Sequence, residues 1–113
     1  MKPTLGQMQR EFAICFARLI VWIYDQGWQV TFSEGYIGDS IDKASEDTPH
    51  KRTGNHFRKL AVDINLFING VLISNGNHSA WRAIHRCWAT LHPDAREVPG
   101  DANHIGLLYE GRV

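Results

Sequence analysis

The sequence predicts a small α+β domain, with two main helices packed on a mostly antiparallel sheet, from three observations. Apolar residues recur at helical spacing from Leu5 to Ile23. Two apolar stretches flank Asn69-Gly70, the dipeptide that most strongly favours a tight hairpin. A second helical stripe, Trp81, Ile84, Trp88 and Leu91, is closed by Pro93.

The first helix starts after Pro3, where Thr4 is placed to cap it and Gln7 stands at the capping-box position, and it ends at Gly27. Its centre, FAICFARLIVWIY, is interrupted by Arg18, is too short to cross a bilayer and is followed by no small-residue cleavage site. It therefore reads as a buried helix, with no stable membrane insertion. WQVTF alternates as a strand, and the polar stretch SEGYIGDSIDKASEDTPHKRTGN that follows is a long loop of the kind that carries function or moves. The next strand sets Leu60, Val62, Ile64, Leu66 and Ile68 on one face and Ala61, Asp63, Asn65 and Phe67 on the other. It returns through VLIS. Ser79 is expected to cap the second helix, and the loop DAREVPGDANH leads into the apolar IGLL.

At 113 residues the chain is long enough for one core, and a single domain spanning 1–113 is expected. Twelve basic and twelve acidic residues cancel and are interspersed, so no global field gathers nucleic acid, and none is expected as a partner. Cys15 and Cys87 are far apart, without metal-type or redox-type spacing, and read as reduced core thiols.

Asp63 is the anomaly. A carboxylate in the middle of a strand needs solvent, an arginine or a metal. Six histidines make the last of these worth pursuing. His78, His85 and His92 repeat every seven residues, a helical rise of about 10 Å that is too long for two imidazoles to share one ion. They read as surface or boundary residues, and His50, beside Lys51 and Arg52, as solvated. His56, where the loop becomes the strand, and His104, three residues after Asp101, remain. With Asp63 they make a set of two imidazoles and a carboxylate, which leaves a fourth position open as catalytic zinc sites do. Spacing alone does not bring the three together.

HFRKLAVD, His56 to Asp63, resembles the H-x-x-G-x-A-x-D signature of the D-Ala-D-Ala carboxypeptidase and phage endolysin family of zinc peptidases, with Lys59 in the glycine position. DANH, Asp101 to His104, is similar to that family's second motif, in which the carboxylate three residues before the last histidine is the catalytic base. The similarity extends through REFAICFARLIVWIYDQGWQVTF and LAVDINLFINGVLISNGNHSAWRAIHRCWATLHPDAR, and so over most of the chain. It implies a hedgehog/D-Ala-D-Ala-peptidase-like fold, a Zn2+ cofactor held by His56, Asp63 and His104, and Asp101 as general base.

Two departures from the family pattern bear on substrate. Ile37 stands where many members carry an arginine, and Gly54 where a serine is common. Arg52 and Arg58 are candidates to supply the missing cation, with Tyr36 as a further substrate contact; each arginine reads equally as a solvated loop charge. The activity implied is hydrolysis of peptidoglycan peptides next to D-amino acids, with L-alanyl-D-glutamate endopeptidase preferred because lysis requires cutting the mesh. A monomer is expected, made in the host cytoplasm and acting on the periplasmic cell wall after holin-type release. The alternative is an inactive zinc-fold module that binds or supports rather than cuts.

Overall fold

The computed structural model describes residues 2–33 and 58–113, so His56, Tyr36, Ile37, Arg52 and Gly54 lie outside the described residues. Helix α1 spans Leu5–Asp25 and opens with the expected capping box. The Gln7 N–H donates to the Thr4 hydroxyl at 3.1 Å and the Thr4 N–H to the Gln7 side chain at 2.8 Å. Gly27, at φ +85°, ends the helix in the left-handed region where a Cβ is disfavoured. The chain then forms β1 (Trp28–Phe32), β2 (Ala61–Ile68), β3 (Val71–Leu72), α2 (Ser79–Leu91), β4 (Ala95–Arg96) and β5 (His104–Leu107).

All pairings are antiparallel, in the order β1-β2-β5-β4, with β3 also paired to β2. Asn69 and Gly70, at φ 54° and 75°, make the two-residue turn joining β2 to β3. Their positive φ values match the twist of the strands that they connect. Two details differ from the sequence expectation. The cap of α2 is His78, whose Nδ1 accepts the Ala80 N–H at 3.1 Å, and not Ser79. Strand β4 arises within what reads as loop, because Ala95 and Arg96 pair with Leu107 and Gly106.

Both helices cover one face of the sheet. Met8, Phe12, Cys15, Leu19 and Ile23 of α1 and Ala80, Trp81, Ile84 and Trp88 of α2 bury against Leu60, Ile64, Leu66, Ile105 and Leu107. Full burial of one such aliphatic side chain stabilises by about 1.5–3 kcal/mol, which makes this face the main source of stability. Burial pushes the Cys15 and Cys87 thiols upward in pKa, and both are free. Among the described residues no helix is long and apolar enough to cross a membrane.

Lys59, just before β2, is held at φ +62°, a conformation that costs an L-residue about 1–2 kcal/mol and glycine very little. Lys59→Gly is therefore expected to raise unfolding stability by about 1 kcal/mol. A urea unfolding curve with unchanged slope and a higher midpoint is the expected result.

Candidate metal centre

The face of the sheet away from the helices carries the residues that the sequence singled out. Hydrogen bonds from the Leu107 N–H to the Leu60 carbonyl and from the Ile64 N–H to the Asn103 carbonyl bracket the pairing of β2 with β5. They make Asp63 and His104 a directly opposed, non-hydrogen-bonded pair, the kind whose Cα atoms approach to about 4.5 Å and whose side chains lie closest. The two side chains meet: His104 Nδ1 is 3.3 Å from Asp63 Oδ1. Asp101 joins them, with Oδ2 4.0 Å from the same ring nitrogen.

Local backbone structure explains how Asp101 gets there. Gly100 takes φ +80°, and the Asp101 carbonyl accepts the His104 N–H at 3.1 Å, so DANH forms a turn that folds the aspartate back over the histidine. The turn and a functional carboxylate are thus compatible readings of one residue. The Asp101 side chain is about half exposed and lines a cavity of about 390 Å³ with Asn65, Ile73, Trp81 and Ala102, whereas His104 is buried.

The donor set fits a cation. Two carboxylates approach one imidazole nitrogen, an arrangement whose negative charge a protonated imidazole or a bound cation would offset. The distance is informative as well. Two atoms each about 2.0–2.1 Å from a tetrahedral zinc lie about 3.3 Å apart. Asp63 Oδ1 and His104 Nδ1 have that separation. Asp63 and His104 are therefore the residues that could hold zinc, with Asp101 beside them. Among the described residues, no group of three His, Cys, Asp or Glu side chains makes a metal site, and the expected third ligand, His56, lies outside them.

The ring of His104 has a tight seat. A Cβ on Gly106 would lie 3.0 Å from His104 Nε2 and 3.2 Å from the Ala61 Cβ, so the imidazole has room only while position 106 is glycine. Helix α2 then fixes the main chain around it. Trp88 Nε1 donates to the Gly106 carbonyl at 2.9 Å, and His85 Nε2 donates to the Ala102 carbonyl, inside the DANH turn, at 2.7 Å.

These anchors escaped the sequence reading. The three histidines at seven-residue spacing have separate partners, and His85 is buried rather than a surface or boundary residue. His92 donates from Nε2 to Glu11 at 2.6 Å and so ties α2 to α1, and His78 is the cap of α2. Only the position of His85 on the buried side of the Trp81–Trp88 stripe could have signalled its role.

Arg58 is engaged elsewhere. Its guanidinium pairs with Glu110 and lies 5.1 Å from the centre of the Tyr109 ring, while Lys2 reaches the same carboxylate at 3.3 Å and the same ring at 5.2 Å. The hydrogen bonds from Arg58 and Lys2 lower the Glu110 pKa, so this tie is present at neutral pH and is lost as pH falls through that lowered value. Arg52 and Tyr36 are outside the described residues. No family model, curated protein or solved structure matches the chain.

His85→Leu removes the donor to the Ala102 carbonyl and is expected to cost about 1–3 kcal/mol, the penalty of an unpaired buried acceptor. Amide exchange should accelerate at His104, whose N–H closes the turn. Unchanged protection at His104 would mean that the turn holds without α2.

Proposed function

We propose that this protein is a zinc-dependent peptidoglycan peptidase of the phage endolysin type, with a hedgehog/D-Ala-D-Ala-peptidase-like fold. The observation that carries the reading is the 3.3 Å approach of Asp63 and His104, with Asp101 alongside, at the positions that the two motifs name. Lys59 adds support of a different kind. It occupies the motif's glycine position and has the left-handed backbone for which glycine is the natural choice. Ala61, the motif's alanine, stands opposite Gly106, where an added Cβ would come within 3.2 Å of the Ala61 Cβ.

In this reading His56, Asp63 and His104 hold the zinc. When bound, zinc lowers the pKa of a water and polarises the scissile carbonyl. Asp101, half exposed at the cavity wall, accepts a proton from the attacking water and delivers it to the leaving amine nitrogen. The cavity beside Asp101 receives the peptide on one side of the bond that is cut. The substrate is a murein stem or cross-bridge, and the preferred bond is L-Ala–D-Glu, reached in the periplasm after holin-type release.

One observation favours the second reading, an inactive zinc-fold module. Arg58, a candidate replacement for the arginine that Ile37 displaces, is already paired with Glu110. Mass spectrometry of purified muropeptides after digestion, with and without a chelator, separates the two. Chelator-sensitive cleavage at L-Ala–D-Glu is the expected outcome; release of D-alanine alone would reassign the bond, and intact muropeptides would favour the module.

The metal assignment predicts one zinc per chain, and a loss of occupancy on changing His56, Asp63 or His104 to Ala. His78→Ala and His92→Ala should retain it, as elemental analysis of each variant would report. Asp101→Asn keeps the shape and removes the basicity. It is expected to bind zinc and melt normally while hydrolysis falls by about a hundredfold to ten-thousandfold, the usual contribution of a positioned base.

A further inference from the structure

Helix α1 carries two apolar stripes on opposite sides. Met8, Phe12, Cys15, Leu19 and Ile23 are buried in the core. Ala13, Ile14, Ala17, Val21 and Tyr24 are all on the outer surface, where Ile14, Val21 and Tyr24 are 50%, 61% and 46% exposed. At about 100° per residue these five fall on one side of the helix, directly away from Leu19.

The ends of the outer stripe say what covers it. Arg10 and Asp25 stand on the same side, one at each end, and both are exposed. Neither has an ion-pair partner among the described residues. Such a pattern is complementary to itself when inverted. In an antiparallel copy related by a two-fold axis between positions 17 and 18, Ile14 faces Val21 of the partner subunit. Arg10 faces Asp25 of the partner subunit, and the symmetry makes each contact twice. The same axis sets Ala17 opposite Arg18 of the partner subunit, a small side chain against a long one that is exposed at the edge of the stripe.

We propose that this face of α1 is an interface to a second copy of the chain, formed as a two-fold antiparallel α1–α1 pair. It departs from the monomer expected from sequence and is independent of the peptidase reading. Asp63 and His104 lie on the other face of the sheet, so pairing through α1 leaves both centres open. One helix pair buries less than the roughly 800 Å² per partner of a standard interface, so the dimer is weak and reversible.

Sedimentation of the full chain over a concentration series tests the proposal. The mass should rise from 12.9 kDa toward twice that value. Arg10→Asp and Asp25→Arg each set like charges opposite one another, and each should raise the midpoint concentration by about tenfold or more. Both positions are exposed, and circular dichroism should show the fold unchanged. The doubly swapped chain, and an equimolar mixture of the two single variants, should recover the midpoint to within about threefold, because either combination restores opposite charges. A chain that stays at 12.9 kDa throughout would overturn the proposal, and binding of that monomer to phosphatidylglycerol-containing vesicles would assign the stripe to a lipid surface. A dimer indifferent to both substitutions, or a double swap no better than the single ones, would overturn it equally.

Discussion

The register of β2 against β5 is the constraint on which the candidate centre depends. Side chains alternate along a strand, so a slip of one residue would carry Asp63 into the core and bring Ile64 or Val62 out beside His104. The core forbids that slip. Ile64, Leu66, Ile105 and Leu107 are fully buried beneath the helices, and their burial fixes which residues face the other way. A non-hydrogen-bonded pair at 63 and 104 then follows, and with it the close approach of carboxylate and imidazole.

The surroundings are arranged to hold that pair in place. Gly106, without a Cβ, leaves room for the His104 ring beside it. Trp88 and His85 reach from α2 to the carbonyls of Gly106 and Ala102, on either side of the histidine. The apolar layer therefore does two things at once. It supplies the stability of the domain, and through two polar tips it fixes the backbone on either side of His104. A centre mounted on paired strands in this way is better preorganised than one carried on loops alone.

Much of the architecture was legible because it is written in local chemistry. Thr4 with Gln7, the alternation of WQVTF and LAVDINLFI, and Asn69-Gly70 each specify their own conformation within a few residues. What escaped depends on distant partners. The short strand at Ala95 and Arg96 exists only because β5 lies beside it. Arg58 reads as a loop charge until Glu110, far along the chain, is brought to it. His85 differs from His78 and His92 by burial, which a seven-residue period does not reveal. The apolar composition of α1 pointed to a buried helix, and one of its two stripes is exposed. At the centre, the sequence motifs named Asp63, Asp101 and His104 and the fold brings those three together, while His56, Arg52 and Tyr36 lie outside the described residues.

In the proposed function, the carboxylate and the imidazole brought together by this strand pairing are ligands of one zinc ion. Zinc K-edge absorption of the purified chain tests it most directly. A first shell of nitrogen and oxygen at about 2.0–2.1 Å, with outer-shell scattering from two imidazoles, is the expected result. A shell of oxygen alone without imidazole scattering, or a sulfur shell at about 2.3 Å, would contradict it.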